Sequence, residues 1–335
     1  MTRPLLLALL LLAAPARAQW TRVDALPAAE VSALYADGDL LLAGAGPAVY
    51  ASHDGGAVWT PAALPGEGVD GIWAFARANE KLFVGTLSHG VFESADGGAH
   101  WTSRSEGLAG AARTVTELAV RGARLYAGTA GEGVFALDLT APSAAWQPFN
   151  DGLGWNIARD ISALTVAGDR LVAGATGNGF VYLRDPGDAA WAERPFVPFD
   201  ASGPTMHDVA EVAGVLVGGS THGLFRSADG GETWSRFDVG LGYLQEAALA
   251  VAGSTVYAAP SRGAQNALLA SADGGATWTE LERGPGPLAY ALAAHGGRLY
   301  AARLDGLWER PLDTTPVEPP PGGPAALRLL PNTPN

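Results

Sequence analysis

Four octapeptides carry the same three chemically telling elements, an aspartate, a glycine pair and a tryptophan. They are SHDGGAVW (52–59), SADGGAHW (94–101), SADGGETW (227–234) and SADGGATW (271–278). Their aspartates, Asp54, Asp96, Asp229 and Asp273, have the residue type of catalytic carboxylates or calcium ligands. Calcium fails on ligand number, because each turn offers one carboxylate and the ion takes roughly 6–8 oxygens. A structural role needs no partner elsewhere in the chain. The aspartate accepts N–H groups of the turn, Gly-Gly supplies positive-φ positions, and the indole packs over the turn and donates a hydrogen bond. The four copies are therefore expected to be turns, and the chemistry must lie elsewhere.

Their spacing identifies the elements around them. Two eroded copies, LDLTAPSAAW and RDPGDAAW, end at Trp146 and Trp191, with Asp138 and Asp185 near the acid's place. Trp59, Trp101, Trp146, Trp191, Trp234 and Trp278 are then 42, 45, 45, 43 and 44 residues apart. Upstream of each lies a hairpin pattern, from LLLAGAGPAVYAS (40–52) and KLFVGTLSHGVFES (81–94) to a seventh, RLYAARLDGLWE (298–309). A further short strand precedes each, as in EVSALYA (30–36) and DISALTV (160–166). Four short strands in about 43 residues is the pattern of a β-propeller blade, and no helical periodicity competes with it. The seventh unit, from Leu288 to about Leu312, lacks a tryptophan strand, and the missing piece stands at the other end. QWTRVDALP (19–27) matches WTPAALP (59–65), so Trp20 begins the outer strand of the last blade. The expected fold is all-β, a seven-bladed propeller of four-stranded blades, its ring closed by the N-terminal strand.

The octapeptide resembles the Asp-box, or BNR, repeat S-x-D-x-G-x-x-W. The matching residues are Ser52, Asp54, Gly56 and Trp59; Ser94, Asp96, Gly98 and Trp101; Ser227, Asp229, Gly231 and Trp234; and Ser271, Asp273, Gly275 and Trp278. Sialidases, xyloglucan-degrading glycosidases, the sortilin ectodomain and photosystem II assembly factors carry such boxes, so the resemblance speaks to fold rather than activity. It implies that each box joins the third and fourth strands of a blade, on the face opposite the ligand site.

Ligands of propellers usually meet the loops joining fourth to first strands and second to third strands. The first set includes PGEGVDG (65–71), GLAGAARTV (107–115), NDGLGWNIARD (150–160), VPFDASGPTMHD (197–208), DVGLGYLQE (238–246) and ERGPGPLAY (282–290). Acids on that face are Asp70, Glu117, Asp160, Asp208 and Glu246, the candidates for catalysis. Ligand-binding candidates are Trp73, Arg113, Trp155, Arg159, His207, Tyr243 and Tyr290, a mixture suited to a sugar or a peptide. Each also has a plainer reading, Asp160 as a strand cap or Trp73 and Tyr290 packed between blades. His89 and His222 hold equivalent places in the second loop set and read as turn residues; they give no metal signature.

Two functions from different classes follow. Glycoside hydrolysis needs two carboxylates across a scissile bond, and the acids above are numerous enough. A sialidase would add an F/Y-R-I-P motif, absent here, although Arg113, Arg159 and Arg262 could cluster. No G-x-S-x-G elbow, H-E-x-x-H, Walker or dinucleotide fingerprint appears. The preferred reading is a non-enzymatic binding or scaffolding propeller for a carbohydrate or extracellular protein, most like the short-bladed photosystem assembly factors, monomeric and without cofactor or metal.

Composition sets the address. Met1 to Pro4 is short and basic, Leu5 to Ala14 is an unbroken apolar run, and Ala16-Arg17-Ala18 is an A-x-A cleavage signature, so residues 1–18 read as a secretory signal peptide. Without Arg3 and Arg17 the net charge moves from −13 to −15. An acidic chain with one lysine, Lys81, has no basic stripe for nucleic acid. No later run is long enough for a transmembrane segment, and the absence of cysteine excludes disulfides and thiolate chemistry. Residues 19–313 are assigned to the propeller and 314–335 to a Pro-rich linker and tail. The last ten residues, ALRLLPNTPN, resemble the opening of a type IX secretion sorting domain and stop where that motif would continue. A plain disordered tail is the alternative. The resemblance implies cell-surface release or tethering, and either way the expected location is extracellular.

Overall fold

The structure is a computed structural model that describes residues 20–26, 30–154, 157–197, 203–263, 265–285, 289–312 and 327–328. The segment read as a signal peptide and most of the tail lie outside the described residues. Seven antiparallel sheets succeed one another around a ring, built on four strands each and, in all but the last, in sequence order from the axis outwards. Blade 1 comprises Ala33–Asp37, Leu40–Ala45, Ala48–Ser52 and Thr60–Ala63, innermost strand first. The innermost strands of blades 2 to 7 are Ile72–Ala78, Val115–Arg121, Ile161–Ala167, Met206–Val212, Glu246–Ala252 and Ala289–His295. The last blade takes its outer strand from the N-terminus: Thr21 pairs with Glu309 and Arg22 with Trp308. Blade 6 gains a fifth, two-residue strand, Leu327–Arg328, on its outer edge beside Thr277 and Trp278. The described residues include no α-helix, only 3-10 turns at Gly110–Arg113 and Ile157–Arg159. The architecture is thus the seven-bladed, all-β propeller expected from the repeat.

The core is divided rather than central. Seven hydrophobic clusters each join residues of two neighbouring blades, for example Leu42 and Val49 with Ile72 and Phe92, or Tyr126 and Val134 with Ile161 and Tyr182. Close approach between blades 1 to 5 depends on a glycine in the second strand of each of the first four. A Cβ at Gly44, Gly85, Gly128 or Gly174 would stand 2.6–2.7 Å from the side chain of Ile72, Val115, Ile161 or Met206 on the next blade. Sheets therefore pack face to face at a separation only glycine permits there.

The Asp-boxes are hydrogen-bonded turns organised around their serine. Ser52 Oγ accepts the Gly56 N–H at 2.8 Å and donates to Asp54 Oδ1 at 2.8 Å, while Asp54 accepts the Val58 N–H at 2.9 Å. Ser94, Ser227 and Ser271 repeat the pattern. The indoles of Trp59, Trp101 and Trp234 each donate to the carbonyl of the box's own second glycine at 3.0 Å. The eroded copies are wired differently. Trp146 donates to Arg104 O and Trp191 to Phe149 O, each at 2.7 Å and each on the preceding blade. Asp185 is held by Arg170 through two 2.7 Å bonds, and Arg170 also reaches Glu232 of blade 5 at 2.9 Å. Where the box is lost, its tryptophan ties blades together.

Ser52→Ala leaves the buried Gly56 N–H without an acceptor. The expected cost is about 1–3 kcal/mol, read as a lower urea midpoint at unchanged m-value. A loss below about 0.5 kcal/mol would show the turn to be held by Gly-Gly conformation alone.

Candidate functional site

The axial cavity is built by an irregularity repeated at the start of the innermost strands. In blades 2, 3, 4, 5 and 7 the register slips by one residue, so that Trp73, Thr116, Ser162, His207 and Tyr290 are extra residues without a partner across the strand pair. A bulge turns its residue off the sheet's alternation. Ser32 occupies the same place in blade 1, and blade 6 pairs without interruption from Glu246 opposite Ser261. Three of these residues join blades: Ser32, Thr116 and Ser162 donate to Ile72 O, Ile161 O and Met206 O at 2.6, 2.7 and 2.7 Å. The other three, Trp73, His207 and Tyr290, line the cavity with rings.

The residue after the bulge forms an inner row. It is Ala33, Ala74, Ala163, Ala248 and Ala291 in five blades, and Glu117 and Asp208 in the other two. The result is a funnel in two chambers. The outer one, about 550 Å³, is lined by Glu30, Asp160, Thr176, Glu117, Glu246 and the six bulge-position residues; the inner one, about 200 Å³, adds Asp208 and the alanines of blades 1, 2, 6 and 7. Trp73, Glu117, His207, Glu246 and Tyr290 face both.

Electrostatically the funnel is a set of acids without a counter-charge, since no arginine or lysine is among the described residues that line either chamber. Burial, reinforced by the negative charge of Asp208, pushes Glu117 well above the usual carboxylate range and Glu246 up to about 7. Burial raises Asp208 to about 6 although its Oδ2 accepts the Leu249 N–H at 2.9 Å. His207 is pushed down to about 4 by burial, so it is neutral at pH 7, 3.6 Å from Glu246, with its Nε2 buried and unbonded. Tyr290 is raised by burial and by the charges of Glu30 and Glu246. The arrangement can receive hydrogen-bond donors and positive charge, and its raised carboxyls can also donate protons.

Of the residues singled out from sequence, Trp73, Glu117, Asp160, His207, Asp208, Glu246 and Tyr290 meet at the funnel. Asp70 does not: it accepts from Ser88 at 2.6 Å and lies 3.7 Å from His89, on the rim of blade 2. Arg113 and Arg262 donate to the loop carbonyls of Leu108 and Leu241, and Arg159 ends a 3-10 turn. None of the three lines the funnel, so the arginine cluster a sialidase needs is not formed there. Tyr243 is exposed and packs edge-on to His222. Trp155 lies outside the described residues. Ser32, Thr116, Ser162 and Glu30 were not singled out; the first three were legible as the second residue of VSAL, VTEL and ISAL. Among the described residues no group of three or more His, Asp or Glu is placed to hold a metal ion, and no helix is long and apolar enough to cross a membrane.

Comparison with known proteins places the chain. Residues 45–217 match the family model described as outer membrane protein assembly factor BamB, and residues 225–236 match the BNR/Asp-box repeat. No curated protein matches the sequence. Among solved structures, YCF48 bound to a D1 peptide shares 17% identity at a TM-score of 0.65, over 90% of this chain and 98% of that one. The extracellular domain of BT4673 from B. thetaiotaomicron shares 13% at a TM-score of 0.67, over 88% of this chain and 39% of that one. The designed protein Ika8 shares 15% at a TM-score of 0.59, over 84% and 83%. These likenesses are of fold alone, in a propeller found in proteins of different function. The chain belongs to the propeller family described as outer membrane protein assembly factor BamB, and it is an Asp-box β-propeller.

Proposed function

We propose that this chain is an exported propeller that binds a carbohydrate or extracellular protein in its axial funnel, on the face opposite the Asp-boxes, without catalysing a reaction. The observation that carries the reading is the funnel itself, where rings from blades 2, 5 and 7 and carboxylates from several blades converge on one cavity of about 550 Å³. That volume and mixed lining suit a ligand site. Residues 1–18 support export and the C-terminal PNTPN supports a surface address. YCF48 was solved with a peptide, which favours including peptides among the ligands tried. The test is a glycan array and a peptide library probed with the full chain, then repeated with Trp73→Ala. Ligands retained by that variant would place binding elsewhere on the ring.

One observation favours a second reading, glycoside hydrolysis. Glu246, held near 7, shares the outer chamber with another carboxyl, Asp160, which gives an acid and a partner to serve as nucleophile or base. An aryl-glycoside panel decides between them. No turnover is expected; turnover that falls at least 100-fold in both Glu246→Gln and Asp160→Asn would overturn the non-enzymatic reading.

A further inference from the structure

The chemical class of the ligand follows from what the funnel lacks. The inner row is alanine in five blades, so the fold itself requires no side chain there beyond a methyl group. Glu117 and Asp208 depart from that rule, and both half-buried carboxylates line the narrow inner chamber. Taking a carboxylate out of water is unfavourable unless donors or a positive charge compensate it. Asp208 receives the backbone N–H of Leu249, whereas among the described residues no hydrogen bond reaches the Glu117 carboxylate. Around them stand Glu246, Glu30 and Asp160, again with no arginine or lysine among the described lining residues. His207 Nε2 is a further buried nitrogen without a partner, beside the same carboxylates.

A neutral sugar would bring hydroxyl donors but no charge to a cluster of several acids, and an anion would be repelled. An organic cation answers both the charge and the geometry, because its N–H groups donate to carboxylates and its charge is attracted to the faces of aromatic rings. Trp73 and Tyr290 supply such rings at the level of the acids, and Trp73 is 43% exposed. We propose that the axial funnel binds the ammonium or guanidinium group of an organic cation, seated among the carboxylates of Glu117, Asp208 and Glu246 and against the rings of Trp73 and Tyr290. The inference rests on the reading of the funnel as a ligand-binding site and narrows its occupant to a cation, either a free polyamine or a lysine or arginine side chain of a peptide. Cation binding expels the protons that burial retains on these carboxyls.

The experiment is calorimetric titration of the full chain at pH 6.5 and low salt. The probes are spermidine, acetylated tetralysine and tetra-arginine amides, tetraglutamate and the trimer of N-acetylglucosamine. At least one cation is expected to bind, releasing protons seen as different heats in two buffers, and to bind at least 10-fold more weakly to Glu117→Gln/Asp208→Asn. Spermidine binding without peptide binding identifies a small amine, and the reverse identifies a basic side chain. No cation binding, or equal binding to the variant, overturns the inference. If the sugar alone binds and Trp73→Ala abolishes it, the cation is wrong while the funnel remains a binding site. If neither cations nor sugar bind in the funnel, and the array and library find no Trp73-dependent ligand, the reading of the funnel falls too. Circular dichroism checks the folding of the double variant, and Glu246→Gln provides the same comparison from the mouth if it is needed.

Discussion

Trp146→Ala is expected to destabilise the ring by about 3–5 kcal/mol. The indole is 1% exposed, among the largest fully buried side chains, and packs in the cluster joining blades 2 and 3 beside Leu137 and Phe135. Its N–H holds Arg104 O at 2.7 Å, and its backbone N–H holds Glu106 O at 2.8 Å, both on the chain leaving blade 2. The Trp146 backbone is also close enough to Gly107 that a Cβ there would collide with it, so this contact has no room to re-form elsewhere. Truncation therefore opens a cavity and orphans a carbonyl at one blade interface. Trp146→Phe should recover most of the packing and keep a loss of about 1–1.5 kcal/mol for the missing bond. Urea unfolding of both variants tests this. A Trp146→Ala loss below about 2 kcal/mol would mean that the blades can close over the gap.

Stability is expected to peak near pH 4–5 and to fall as the pH rises towards 8. Glu117, Asp208 and Glu246 have folded-state affinities for protons raised above those of the unfolded chain, with Asp208 near 6 and Glu246 near 7. Between about pH 4 and 7 the folded state thus binds more protons than the unfolded state, and each step upward in pH favours unfolding. His207, held near 4, acts in the opposite direction over about pH 4–6.5 and offsets part of the loss. Below pH 4 the sign reverses for a different set. Asp54, Asp96, Asp185 and Asp229 are lowered by their hydrogen bonds, so their contribution is present above the unfolded value and is lost as pH falls through the folded one. A tenfold change in proton affinity is worth about 1.4 kcal/mol. With a third of the Glu246 side chain open to solvent and screened, the net loss from pH 5 to pH 8 is on the order of 2–4 kcal/mol. Thermal melts across that range measure it. Glu117→Gln/Asp208→Asn should flatten the curve and be more stable than the native chain at pH 8. An unchanged slope would mean that the funnel carboxyls are solvated in the folded state.

Much of the fold was legible because a propeller repeats the same local problem. Each box serine, aspartate and tryptophan meets the same turn four times, so the 42–45 residue interval reports the blade directly, and Trp20 reports the closure. The candidate site was legible only in part. The tetrapeptides VSAL, IWAF, VTEL, ISAL, MHDV and AYAL place Glu117 and Asp208 where other blades have alanine, a signal visible once the blades are aligned. Asp70 and Arg113 sit in equally polar loops and turn away, towards Ser88 and Leu108 O.

The sequence by itself determined the blade number, the strand order, the closure and the turn chemistry, because these depend on short-range pattern repeated at a constant period. Only the tertiary structure decided which loop residues share a cavity. Trp73 and Tyr290 are 217 residues apart and meet because the ring brings blades 2 and 7 to a common axis. The one-residue bulges then decide which side chain of each inner strand faces that axis, and register is a property of paired strands that no single strand records. The same convergence made the funnel an acidic chamber, since burial and charge at one carboxylate depend on neighbours supplied by other blades.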